Sequence, residues 1–264
     1  MTRKAIIQHL IFVIGIIIIF MMGFMVYYLW PLGLKKGDYS DNIIAHGGGI
    51  IDGFTYTNSL EAVMSSIKKG YKYIELDLQF TADSQLVCMH SVEDFRKMTN
   101  TPDTVDITYQ YFKSQKLYKK YTPISANDAA TIFQKNNITL VTDKISSPEI
   151  LEKYFSNIKH NVMVEAFSLK DYQGLKKLGY MPMLGINSNG IKRLYILQCI
   201  KNKAIIDRIT TTANKKDIKN YRFLKKMFGV KITIFTRLHP STFKENLGHE
   251  IDYIYIDDKN NIIE

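Results

Sequence analysis

A chain of 264 residues with 46% hydrophobic side chains is long enough for one large domain around a buried core. Its two cysteines, Cys88 and Cys199, lie far apart in apolar contexts. That excludes a disulfide framework and a zinc spacing, and both read as core residues. The formal charge of +10 collects in Lys113–Lys120, Lys192–Lys203 and Lys215–Lys226, which read as solvated helix faces or as attraction to an anionic surface. No nucleic-acid-binding motif accompanies the charge, so nucleic acid is not an expected partner.

Residues 1–30 read as a membrane anchor and 31–41 as a short polar tether. No charge falls between Lys4 and Lys35, and Leu10–Trp30 is almost wholly apolar. At about 1.5 Å per residue this run crosses a hydrocarbon layer of about 30 Å. Tyr27, Tyr28 and Trp30 crowd one end as interface aromatics do. The apolar run is too long for a signal peptide and lacks a small-residue cleavage site. The short N-terminal tail favours a single-pass orientation in the cell membrane with the following domain outside.

Residues 42–264 read as one catalytic domain. A strand is expected at Asn42–His46, then a helix at Ser59–Lys69 with Leu60, Val63, Met64 and Ile67 at helical spacing and Gly70 at its end. In the strand Tyr73–Phe80 the period of two puts Glu75 and Asp77 on one face and Ile74, Leu76 and Leu78 on the other. Two neighbouring carboxylates repel, and a divalent cation is the natural counter-charge. Thr81–Gln85 is too short for a parallel crossover, so Leu86–His90 is expected to return as a hairpin. Ser91–Tyr121 reads as a polar, irregular region.

Strand and helix then alternate: helix Ala126–Gln134, strand Thr139–Asp143, helix Pro148–Phe155, strand Val162–Phe167, helix Leu169–Leu178 and strand Met181–Ile186. Helix Ile191–Asn202, strand Ile205–Ile209, helix Lys216–Met227 and strands Lys231–Thr236 and Tyr253–Asp257 complete the series. About eight strands in roughly 220 residues predict a (β/α)₈ barrel, preceded by the single transmembrane helix, with function at the C-terminal ends of the strands.

His46 and His90 close apolar segments on either side of the Glu75–Asp77 pair and read as a catalytic acid–base couple. Asp143, ending ITLVTD, is the best-placed third carboxylate. An oxygen-only set favours Ca²⁺ or Mg²⁺ over zinc. Gly47–Gly49 leaves backbone amides open to a phosphate oxygen, and Glu165 is a candidate for the same cavity.

The segments IIAHGGG, TNSLEAV and YIELDLQFTADSQLVCMH, within Ile43–His90, resemble the glycerophosphodiester phosphodiesterase family, whose motif runs His-Arg-Gly, Glu-Asn-Thr, Glu-x-Asp, His-Asp. TPISANDAATIF, ITIFTRL and IDYIYIDD extend the likeness over residues 42–258. The resemblance implies a barrel enzyme with catalytic His46 and His90 and metal ligands Glu75, Asp77 and Asp143. Gly47, Asn58, Lys144 and Glu165 would line the substrate. The chain departs from the pattern at Gly47, where Arg is expected, at Thr57, where Glu is expected, and at Ser91, where Asp is expected. The family's Lys lies two residues after the acidic residue; here Lys144 is adjacent to Asp143. The implied reaction is hydrolysis of a phosphodiester, either a lipid headgroup or a glycerol-phosphate polymer of the cell envelope. A non-catalytic barrel that binds anionic lipid or wall polymer is the alternative.

Overall fold

The computed structural model describes residues 3–29, 39–201, 205–236 and 238–258. Most of the expected tether, Trp30 and the Cys199 side chain lie outside the described residues.

Eight parallel strands close on themselves: β1 (Ile43–Ala45), β2 (Tyr73–Phe80), β4 (Thr139–Asp143), β5 (Val162–Ala166), β6 (Met181–Gly185), β7 (Arg208–Thr212), β8 (Lys231–Phe235) and β9 (Tyr253–Ile256). β1 pairs with both β2 and β9, which completes the circuit. The remaining strand, β3 (Leu86–Cys88), pairs antiparallel to β2 with Leu78 opposite Cys88, as the short Thr81–Gln85 link requires. It is a hairpin arm at the mouth, not a stave.

Alternation within each strand builds two cores. Ile74, Leu76 and Leu78 face outward and pack with the helical layer; burying side chains of this kind stabilises by on the order of 1.5–3 kcal/mol each. Ile44, Val141, Met163, Met183 and Tyr255 fill the barrel interior. The helices of the outer layer are α2 (Leu60–Lys68), α5 (Ala126–Asn136), α6 (Pro148–Phe155), α7 (Leu169–Leu178), α8 (Ser188–Lys201) and α9 (Ile218–Phe228). Ser59, Ser125, Ser147 and Ser168 cap the first four of these helices by accepting the backbone N–H three residues on. Gly70 follows α2 with φ +77°, and its N–H donates to the Ile67 carbonyl at 2.9 Å.

Two expectations change. Ser91–Tyr121 is not irregular: it carries α3 (Val92–Thr99) and α4 (Tyr109–Ser114), capped by Ser91 and Thr108. A separate core of Phe95, Ile107, Phe112, Leu117 and Tyr121 holds this segment beside the mouth. The strand expected at Ile205–Ile209 lies at Arg208–Thr212 instead. Ile206 belongs to the incoming turn, where its N–H donates to Gln198 Oε1, and the β-branched threonines continue the ladder with β8.

The N-terminal helix α1 (Arg3–Leu29) contains one run, Ile6–Tyr27, long and apolar enough to cross a membrane. Lys226 of α9 donates to the Tyr27 carbonyl and lies 5.0 Å over its ring.

Candidate active site

The strands expected to carry site residues stop one or two residues short of them. His46, His90, Phe167 and Ile186 therefore stand in the loops that rim the C-terminal end of the barrel, around a cavity of about 820 Å³, and Asp257 stands just beyond β9. Glu75, Asp77, Asp143 and Glu165 line its floor, so the structure brings together both histidines and all four candidate carboxylates.

Strand register explains the grouping of the acids. Asp77 pairs directly with Asp143, and oxygens of Glu75, Asp77 and Asp143 lie within 4.8 Å of one another. Glu75 and Asp77 are almost fully buried. Burial first, and Asp77 second, push the Glu75 carboxyl well above its usual range; the same two causes raise Asp143 to about 8. Glu75 Oε1 and Asp143 Oδ1 are buried without a hydrogen-bond partner. Three crowded carboxyls with unsatisfied oxygens fit a hard divalent cation, and they are the candidate metal centre.

Several neighbours hold these acids in place. Gly47 N–H donates to Glu75 Oε2 at 2.6 Å, so this amide is not free to meet a phosphate as the sequence suggested. Gly47 has φ +54°, and a Cβ there would fall 2.6 Å from Tyr56 Cα. The backbone of Tyr56 thus occupies the space that an Arg stem at this position would need. Asn58 is fully buried, at φ +48°. It donates to Asp77 Oδ2 at 2.9 Å and accepts from Asp77 N–H at 2.9 Å, so it positions a carboxylate and does not touch the cavity. Thr57 is turned away onto the Ser59 hydroxyl at 2.9 Å.

Lys144 follows Asp143 in the left-handed region, φ +63°. This turn directs the adjacent lysine back into the site, where Nζ lies 3.2 Å from Asp77 Oδ1 and donates to the His90 carbonyl.

Each histidine is backed by a carboxylate that sequence reasoning did not single out. His46 Nδ1 lies 3.4 Å from Asp257 Oδ1 just beyond β9, and His90 Nδ1 lies 2.6 Å from Asp94 Oδ2 on α3. Ser91 donates to the same Asp94 oxygen at 2.8 Å. The His90 contact and the Ser91 bond hold Asp94 below the usual carboxylate range. The acid missing at Ser91 is thus supplied one helical turn later, and Ser91 orients it. The only hint in the sequence was the His-x-x-x-Asp spacing, which puts both residues on one face of the turn. Tyr56 stands between the two imidazoles, with ring centroids 4.4 Å from His46 and 5.8 Å from His90.

Glu165 differs from the other acids. One residue past the Thr142–Val164 rung it faces Asp143, but it lies outside the tight trio. Burial alone raises it to about 7.

The profile of the Glycerophosphoryl diester phosphodiesterase family matches residues 47–224. Glycerophosphodiester phosphodiesterase 1 of Bos taurus is 28% identical over 174 residues, covering 64% of this chain and 47% of the relative; the Homo sapiens protein of that name is 27% identical over the same length. The chain spans about half the length of these curated relatives. The crystal structure of a glycerophosphodiester phosphodiesterase from Agrobacterium tumefaciens has a TM-score of 0.62 at 15% identity, covering 84% of this chain and 99% of that one. One from Parabacteroides distasonis gives 0.62 at 14%, covering 88% and 92%. These two likenesses concern the fold. With the family profile spanning the Gly47–Gly49 turn and the strands that bear Glu75, Asp77, Asp143 and Glu165, the chain belongs to the glycerophosphoryl diester phosphodiesterase family.

Proposed function

We propose that this chain is a membrane-anchored, metal-dependent phosphodiesterase. It cleaves a glycerophosphodiester-type substrate, a lipid headgroup or an envelope polymer, to glycerol phosphate and an alcohol. In this reading residues 1–30 anchor, 31–41 tether and 42–264 form the catalytic barrel outside the cell membrane. One observation carries it: two carboxylate-backed histidines face a single cavity whose floor holds an oxygen-only trio with unpaired oxygens.

Glu75, Asp77 and Asp143 would hold a calcium or magnesium ion, offsetting the charge that develops on the phosphoryl oxygens. Lys144, beside Asp77, adds a fixed positive charge at the same edge of the site. Both histidines turn Nδ1 to a carboxylate, which orients the ring and leaves Nε2 for the reaction. His46, 14% exposed, acts as base and takes a proton from water or from a neighbouring hydroxyl of the substrate. The oxygen so freed bonds to phosphorus as the ester bond to the alcohol breaks. His90, 43% exposed and nearer solvent, gives its proton to the departing alkoxide.

The test is turnover of a panel of glycerophosphodiesters with calcium or magnesium. His46→Ala and His90→Ala should each lose about 10²–10⁴-fold in kcat. The double variant should lose little more than the worse single, because the pair acts as one unit. Metal-dependent thermal stabilisation should persist in all three. The second reading, a non-catalytic barrel for anionic lipid or wall polymer, is favoured by Gly47 and Thr57 standing where the family motif has Arg and Glu. Wild-type chain that binds metal and diesters but turns none over decides for it.

A further inference from the structure

Neither the metal trio nor the histidine couple accounts for the ring that stands between the two imidazoles. Tyr56 is half-buried and lines the cavity with His46, His90, Glu75 and Asp77. Its backbone lies at φ +56°, a region that a bulky residue seldom enters and that is concentrated at functional sites. Asn58 Nδ2, which holds Asp77, also donates to the Tyr56 carbonyl at 3.4 Å, so one amide fixes a metal-site carboxylate and the root of this ring. The ring meets both imidazoles edge to face, at interplanar angles of 68° and 70°. Its hydroxyl makes no hydrogen bond among the described residues. Burial first, and then Asp257, Glu75 and Asp77, push the phenol up to about 12, so at neutral pH it keeps its proton and is a donor.

The root of the ring matters as much as its hydroxyl. A Cβ on residue 47 would fall 2.6 Å from Tyr56 Cα, so a side chain at position 47 and the backbone of Tyr56 compete for one space. An Arg at position 47 would present a fork suited to phosphate. This chain has Gly47 there and sends a phenol into the cavity from the same corner instead. The other donors near the trio are taken: Gly47 N–H by Glu75, and Lys144 by Asp77 and the His90 carbonyl. We propose that the Tyr56 hydroxyl is the phosphate-binding donor of this chain, donating to a non-bridging oxygen of a diester that lies between His46 and His90. The assignment rests on the diester-binding reading of the cavity given above. A phenol offers one hydrogen bond where Arg offers two in parallel, and it adds no charge. Phosphate is therefore held at this corner by a single neutral donor, and both imidazoles remain free to transfer protons.

The experiment measures binding of glycerol 3-phosphate to the detergent-solubilised full chain in calcium, by calorimetry, for wild type and Tyr56→Phe. The variant keeps the ring between the imidazoles and removes only the hydroxyl. Its affinity should fall about 10–100-fold, the range for a lost hydrogen bond to a charged acceptor. Calcium titration of the melting temperature should give the same midpoint in both proteins. A wild type that binds no glycerol 3-phosphate, an affinity unchanged in Tyr56→Phe, or a shifted calcium midpoint each overturns the assignment; the last makes Tyr56 a support of the metal centre. Turnover of the glycerophosphodiester panel is followed in parallel. Turnover with the same affinity in both proteins removes the phenol contact and keeps the hydrolase; a Tyr56-dependent affinity without turnover does the reverse.

Discussion

Asn58 shows how much a residue can matter without entering the cavity. Its amide satisfies both the backbone and one oxygen of Asp77 from a left-handed backbone position. Asn58→Gly keeps that backbone accessible and removes the amide, leaving Asp77 free to rotate. Outer partners of metal-binding carboxylates typically matter by 10–100-fold in affinity. The calcium concentration needed to raise the melting temperature should therefore rise by about that factor. An unchanged midpoint would show that strand pairing alone holds Asp77. The left-handed turn at Lys144 is a parallel case. Spacing suggested a misplaced lysine, and the backbone corrects the spacing.

At the scale of elements, the His46–Gly49 turn joins β1 to the loop before α2, and three consecutive glycines with positive φ make it possible. Gly47→Ala would force a Cβ against the Tyr56 backbone in a left-handed conformation, where neither side can yield cheaply. We expect a loss of about 2–4 kcal/mol by urea unfolding, with weaker calcium stabilisation because the Glu75 contact shifts. Gly47→Arg, which restores the family motif, should behave no better; a gain in activity would show that the turn relaxes. The α3 segment makes the opposite point. Its short helix brings Asp94 to His90 and packs on one small core that includes Phe95 and Phe112.

For the whole molecule, the acids in one cavity make stability depend on pH. Glu165 titrates near 7 when folded against 4.5 in a free chain, with Asp143 on β4 and Tyr255 on β9 as its ionisable neighbours. A raised acid pKa means the native state binds the extra proton. The contribution of this carboxyl is therefore fully present below about pH 4.5 and is lost as pH rises through 7. The metal-free protein should lose up to about 3 kcal/mol through this carboxyl between pH 5 and 8. Glu165→Gln should show that much less loss by urea unfolding; parallel slopes in the two proteins would refute the assignment. The second whole-molecule expectation concerns α1. Its Ile6–Tyr27 run should keep the full chain in the membrane fraction after a high-salt wash, while a chain beginning at Asp38 is soluble. Release by salt would mean that basic faces hold it there.

Local pattern determined a good deal of this protein. The two-residue period of Tyr73–Phe80 put Glu75 and Asp77 on one face, the strand–helix alternation gave the barrel, and the length of Thr81–Gln85 gave the hairpin. Each is a property of neighbouring residues, because pleat, helical pitch and loop length are set within a few positions. What needed the tertiary structure were partners far apart in the chain or turned by the backbone. Asp257 reaches His46 only because β9 closes on β1, and Glu165 meets Gly185 only through the β5–β6 register. Asn58 and Lys144 took their places through positive φ values that no spacing rule foresees. Strand closure, register and a few left-handed turns are collective choices of the packed chain, and they decided which of the legible residues touch.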